Sequence, residues 1–220
     1  MPFNNKQTPD WSYSLPFALA LMAPFDILAS LAMDIYLPVV PSMPAILQTT
    51  PAMVQLTLSL YMVMLGVGQL LFGPLSDRFG RRPILLGGGL VFALSSFGLA
   101  ITDNASLFVA LRLVQATGAS AALVATFATV RDVYAARPEG ATIYSLFSAM
   151  LSFVPALGPI AGALIAKGFG WRTIFALLGV LGLVATWRAL HHRHETRPNN
   201  SPPRAGSIVR IISDFRFWTY

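Results

Sequence analysis

The 220-residue sequence predicts an all-α membrane protein with six transmembrane helices. Composition is the first ground, because 55% of the residues are hydrophobic and 11% charged, against about 45–50% and about 25% in soluble domains. The spacing of charge is the second. A bilayer core about 30 Å thick needs about 20 mostly apolar residues in a helix, and no charged residue occurs from 35 to 76, 83 to 102, 113 to 130 or 140 to 166, with a shorter gap from 173 to 187. The third is that Lys and Arg collect almost entirely on one side of the spans those gaps define. Disorder is excluded, since it needs low hydrophobicity and high charge and the mean hydropathy is +0.64. The absence of cysteine removes disulfides, thiolate metal sites and cysteine nucleophiles.

The first span is expected at about 15–37, after a short amino-terminal segment, 1–14. Its basic n-region is a single lysine and its apolar run exceeds the 7–15 residues usual in a signal peptide, so it is expected to remain as a membrane helix. Pro38, Pro41, Pro44 and Pro51 bracket the polar Gln48, Thr49 and Thr50 and separate it from a second span at about 54–75. The remaining spans follow at about 84–101, 107–130, 143–166 and 173–189. From 190 to 213 the chain turns polar and proline-rich, as a linker does, and 214–220 ends on an aromatic cluster of the kind that introduces a further span. A short amphipathic tail lying on the membrane surface accounts for the same residues.

Cytoplasmic loops collect basic residues. Lys6, Arg78, Arg81, Arg82, Arg131, Arg137, Arg188, Arg193, Arg197, Arg204, Arg210 and Arg216 fall on one side and only Lys167 and Arg172 on the other. The amino terminus and the linker are therefore expected in the cytoplasm. The net charge of +6 is explained by topology, with no need of a nucleic-acid partner.

Charges inside a span cost at least about 2.5 kcal/mol and are functional candidates by default. Three occur: Asp26, Asp34 and Arg112. At 1.5 Å per residue, Asp34 stands about 12 Å beyond Asp26 and Arg112 about 9 Å above the centre of its span, so these two sit at similar depth and can pair. Asp26 has no evident partner and is the candidate proton carrier. Beside it, Pro24 cannot donate to the Ala20 carbonyl, which loosens the helix and frees a polar group. A static ion pair or an interfacial position explains Asp34 and Arg112 as well as a direct transport role does, and a hydrogen-bonded structural acid is the bland account of Asp26.

The loop from Gly73 through Asp77, Arg78, Gly80, Arg81 and Arg82 to Pro83 contains more than topology requires. Gly73 and Gly80 would permit close helix approach and a tight reversal. Arg131 and Asp132, at the inner end of the fourth span, suggest clamps from Asp77 to Arg131 and from Arg81 to Asp132, of the kind broken and remade in two-state switches. A plain solvated turn is the alternative. The fourth span carries Arg112, Gln115 and Gly118 at three-residue spacing on one face, and the fifth carries Pro155, Gly158, Pro159 and Gly162, both suited to close packing.

These motifs resemble the major facilitator superfamily, specifically its twelve-span drug:proton antiporters. The loop Gly73 to Arg82 resembles the signature between helices two and three, and Arg112-x-x-Gln115-x-x-Gly118 that of helix four in proton-coupled members. Pro155-x-x-Gly158-Pro159-x-x-Gly162 resembles the antiporter motif of helix five, with Val154 and Ala163 where glycines are usual. Stretches at 23–41, 51–86 and 116–140 are further similar to the chloramphenicol and florfenicol exporters of Gram-negative bacteria. The resemblance covers nearly the whole chain but only the first of the family's two six-helix halves. It implies a multi-pass protein of the bacterial inner membrane that exchanges an outgoing neutral phenicol for an incoming proton, conferring resistance. Asp26, Asp34 and Arg112 would match the coupling residues, and the second half would be the missing partner.

A neutral, amphipathic drug suits an apolar cavity with a few polar groups such as Tyr36, Tyr61, Gln69 and Gln115. One proton moving inward releases about 2.3 kcal/mol per 100 mV, enough for a roughly fifty-fold gradient. No ATP or other cofactor, metal or catalytic residue is indicated: G-x-x-x-x-G-K-[ST] is absent and the lysines are Lys6 and Lys167 alone. An intramembrane serine protease needs a histidine within the bundle, whereas His191, His192 and His194 all follow the sixth span. Two alternatives stay open: export of another drug or a small metabolite, and a half-length chain without transport activity, since alternating access needs two halves rocking about one site.

Overall fold

The computed structural model describes residues 15–134 and 139–192. Within them every regular element is helical. The long helices are α1 (Leu15–Asp34), α3 (Pro51–Phe79), α4 (Arg81–Ile101), α5 (Ala105–Tyr134), α6 (Glu139–Phe169) and α7 (Trp171–His192). These six, the first taken with the short helical turns that follow it (Pro16–Ile46), are long and apolar enough to cross a membrane, as the charge gaps predict.

Between α1 and α3 the proline-rich stretch does not form an open loop. It folds into a 3-10 helix, Leu37–Ser42, and a short helix α2, Met43–Ile46, because proline's fixed φ suits the first turn of a helix. The Thr50 hydroxyl then caps α3 by accepting from the Met53 amide at 3.3 Å. Two reversals rest on single glycines: Gly80 at φ +104 joins α3 to α4, and Gly170 at φ +87 joins α6 to α7. Only glycine adopts such angles without strain.

The helices run past the apolar stretches at several ends. Helix α5 includes Arg131 and Asp132, and α7 continues to His192, beyond the expected start of the linker at 190. A charge at a helix end is solvated or paired and does not stop the helix. Helix α1 also continues unbroken through Pro24. The expected amino-terminal segment 1–14, most of the linker, the start of a seventh helix at 214–220, and the charges Lys6, Arg137, Arg193, Arg197, Arg204, Arg210 and Arg216 lie outside the described residues.

Helix α5 is the hub. It packs against α3, α4 and α1, while α4 also packs against α7, and α1 against α6 and α7. The α4–α5 seam is close because a Cβ on Gly118 would lie 2.5 Å from the Phe92 amide nitrogen and 2.6 Å from the Gly88 carbonyl oxygen. Small residues let backbones approach in this way where lipid supplies no hydrophobic drive between helices. Helices α3 and α6 are the least enclosed: 17% of their most apolar stretch is buried, against 50% in α4 and α5.

Candidate functional site

The site begins where α1 ends. After Asp34 the chain tightens, so the Tyr36 amide donates to Met33 at 3.3 Å and the Ile35 amide to Leu31 at 2.9 Å. The carbonyl of Ala32 is thereby left over, one of the acceptors a helix terminus cannot satisfy itself. Arg112 of α5, 0% exposed, supplies the donor: its Nη1 lies 3.1 Å from the Ala32 oxygen. A cation at this end also meets the negative pole of the α1 dipole.

Around that contact the guanidinium is held in a cage. Its Nη1 also donates to Gln115 Oε1 at 2.7 Å, one turn along α5. The Arg112 Cζ stands 4.4 Å from the Tyr61 ring centroid, 5.1 Å from that of Tyr36 and 5.9 Å from that of Phe175, distances at which ring quadrupoles attract a cation. Tyr61 donates its hydroxyl to the Ala29 carbonyl at 2.8 Å, one turn below Ala32. Helices α3 and α5 thus both grip the main chain of α1. Arg112 Nε and Nη2 and the Tyr36 hydroxyl are buried without a hydrogen-bond partner in the described structure.

Asp34 and Arg112 do not pair, contrary to the expectation from depth. Asp34 accepts from Ser30 Oγ at 3.3 Å and its Cβ faces α6, where a Cβ on Gly158 would come within 2.9 Å of it. Equal height leaves the rotation about the helix axis open, and here the two side chains take different azimuths. Asp26 is 3% exposed, with one carboxylate oxygen buried and unpartnered. Gly162, a turn beyond Gly158, abuts the Ile35 carbonyl, so the glycine face of α6 lies along the end of α1. Pro155 of the same helix is exposed and Pro159 half-buried.

At the opposite end of the bundle Arg81 is the centre of a second cluster. Its Nε donates to Asp132 Oδ2 at 2.8 Å, and its Nη1 lies 2.5 Å from Asp77 Oδ1 and 3.1 Å from Ser76 Oγ. The Arg81 to Asp132 clamp therefore joins α4 to α5. The clamp from Asp77 to Arg131 does not form, because Asp77 turns to Arg81 across the Gly80 reversal, and Arg131 Nε lies 3.7 Å from its neighbour Asp132. Arg82 donates to the Leu190 carbonyl at 2.8 Å, tying α4 to the end of α7, and Arg78 lies over Phe79. Gly73 has open space about it rather than a close helix neighbour. It lines a cavity of about 380 Å³ with Gln69, Asp77, Arg81, Phe127, Arg131 and Tyr144, where Phe127 and Tyr144 stack at 6.0 Å.

Of the four candidate cavity residues only Gln69 lines that space. Tyr36, Tyr61 and Gln115 are fully buried in the Arg112 cage. Three contributors escape a sequence reading: Phe175, which resembles any apolar residue of its span, Ser96, which accepts from Gln115 Nε2 at 2.7 Å, and the Asp103 to Arg172 ion pair between the α4–α5 connection and α7. For Ser96 the available signal is a hydroxyl in an apolar span, which Ser95 shares. His191 and His192 pack on Trp187 and Phe17.

The sequence profile of the Major Facilitator Superfamily matches residues 25–219. A chloramphenicol resistance protein of Pseudomonas aeruginosa is 52% identical over 211 residues, covering 96% of this chain and 50% of that protein. An uncharacterized MFS-type transporter, YdgK, of Bacillus subtilis is 35% identical, covering 94% and 52%, and a multidrug resistance protein, MdtL, of Escherichia coli is 31% identical, covering 87% and 48%. The chain spans about half the length of the curated relatives it matches. Among solved structures, a peptide transporter crystallised with sulfate superposes with a TM-score of 0.70 at 16% identity, over 89% of this chain and 42% of that one.

Proposed function

The chain belongs to the Major Facilitator Superfamily, and on that basis we propose that it forms one six-helix half of a proton-coupled exporter of phenicol antibiotics. One observation carries the reading: an acid on α1 and an arginine on α5, 3% and 0% exposed, are both buried in an integral membrane protein without an opposite charge bonded to either among the described residues. Such groups are too costly to keep for packing alone. A carboxyl that gains and loses a proton, on the same helix whose end a permanent cation grips, is the minimum needed to link proton entry to a change of shape.

The likeness to a chloramphenicol resistance protein supports a neutral, amphipathic phenicol as cargo, and the likeness to a multidrug resistance protein supports a second reading, export of another small drug. Positive-inside asymmetry supports an amino terminus in the cytoplasm, and the likeness to bacterial resistance proteins supports a place in the inner membrane. The outward faces of α3 and α6 await a second six-helix unit, against which alternating access can rock.

The test is accumulation of labelled chloramphenicol in cells expressing the chain, alone and with the carboxy-terminal half of the Pseudomonas aeruginosa relative. Low accumulation, restored by a protonophore and by Asp26→Asn, is the expected result. Accumulation equal to that of empty cells under both conditions, despite membrane insertion, would sink the proposal. Exclusion of a structurally unrelated drug but not of chloramphenicol would establish the second reading.

A further inference from the structure

We infer that Ser96 is the positioning residue that holds the Arg112 guanidinium against the end of α1, acting through Gln115. The direction of each hydrogen bond in this relay is forced by chemistry. A guanidinium only donates, so the Gln115 atom 2.7 Å from Arg112 Nη1 is the carbonyl oxygen Oε1. The other end of the amide is then an NH2 group in a fully buried position, and it needs an acceptor. It has Ser96 Oγ at 2.7 Å. Ser96 is free to accept because its own hydrogen goes to the Phe92 carbonyl at 2.6 Å. The relay runs from α5 into the main chain of α4, and Arg112, Gln115 and Ser96 are all 0% exposed.

Without the Ser96 hydroxyl, the Gln115 NH2 group is stranded in a dry place where an unmet donor is costly. The amide rotates to find a partner, and Oε1 leaves Arg112. The guanidinium then keeps the Ala32 carbonyl as its remaining hydrogen-bond acceptor among the described residues and swings about that single contact. Ser95 next door is a built-in control: it is equally a buried hydroxyl of α4, but it donates within its own helix, to the carbonyls of Val91 and Phe92 at 2.7 Å and 3.0 Å.

The orientation of Arg112 is a property of this chain alone, while its effect on proton coupling rests on the exporter function proposed above. The test therefore has two arms. In the first, the full 220-residue protein is purified in detergent with nitrogen-15 arginine, and the Arg112 side-chain signals are assigned by their loss in Arg112→Lys. A held guanidinium gives separate Nη signals. Ser96→Ala is expected to merge them, Ser96→Thr to restore them and Ser95→Ala to leave them as in the native protein, with thermal melting recorded for each. Gln115→Met, which breaks the relay from the other side, is expected to merge them as well. Unchanged Arg112 signals in Ser96→Ala, or equal merging in Ser95→Ala, would overturn the assignment and reduce Ser96 to packing.

In the second arm, everted vesicles containing the chain and the complementary half are assayed for chloramphenicol uptake against pH. Ser96→Ala is expected to lower the maximal rate about tenfold, the factor to which a hydrogen bond of about 1.4 kcal/mol converts, with KM for the drug unchanged and the pH profile displaced. Native vesicles that take up no drug would overturn the exporter reading and leave the nitrogen-15 result to decide the positioning role by itself.

Discussion

Arg112 is bonded to a peptide carbonyl and an amide rather than to a carboxylate, and this decides what its replacement does. A buried cation loses far more hydration than such neutral dipoles return, so an apolar residue of similar volume is often tolerated there. Arg112→Met is therefore expected to change the melting temperature of the purified protein little, relief from burying a cation offsetting the bonds lost at Ala32 and Gln115, while abolishing the drug extrusion proposed above, a dissociation of stability from activity read by melting and by accumulation in cells that also hold the complementary half. The Arg81 cluster behaves in the opposite way. Arg81 is itself buried, its Asp132 partner is 10% exposed and its Asp77 partner 48% exposed. Removing an enclosed partner leaves the arginine uncompensated, whereas an exposed ion pair contributes little. Asp132→Ala is expected to cost about 3 kcal/mol and Asp77→Ala less than about 1 kcal/mol, measured as loss of heat-resistant protein in detergent. At this scale the sequence identifies the buried charges, because any ionisable residue in an apolar span is conspicuous. It finds the Arg81 to Asp132 pair but not the partner of Arg112: the rise per residue gives height, while whether Asp34 or the Ala32 carbonyl meets Arg112 depends on rotation about two helix axes, which no spacing encodes.

For the helices, the decisive contacts are between backbones. A side chain at Gly118 would collide with the main chain of α4, which cannot yield as a flexible side chain can. Gly118→Val is expected to destabilise by about 1–3 kcal/mol or more, while Gly87→Ala, one residue from Gly88 but with nothing within 4 Å, is expected to be neutral or mildly stabilising through helix propensity. The yield of folded protein in membranes compares the two directly. Gly158→Val drives α6 off Asp34 and is expected to impair the proposed export, assayed with the complementary half present, more than it impairs insertion. The six spans are legible from charge gaps alone, since a helix that faced water could not go so long without a charged residue. Their ends are not, because Arg131, Asp132 and His192 continue helices that the charge rule would stop. The run of prolines after Leu37 announces the end of α1 but not the 3-10 turn that frees the Ala32 carbonyl, the event on which the site depends.

On the scale of the molecule, the absence of native cysteine makes topology directly measurable. With the orientation proposed here, Lys167→Cys is expected to react with a membrane-impermeant maleimide in intact cells, and Arg78→Cys only after permeabilisation. The reverse pattern would invert the protein in the membrane. Membership of a two-half architecture is legible from the motifs, but the geometry of the cage is not, because its members come from α1, α3, α5 and α7 and meet only in the folded bundle. The two grips on α1 have a hereditary consequence. Both end on main-chain oxygens, at Ala29 and Ala32, and every amino acid carries the same oxygen. Those positions can drift among residues small enough to fit without loosening the tie, so lesions that release α1 should arise at the donors Tyr61 and Arg112, and a screen for them would find the controls of the first helix written in the third and fifth.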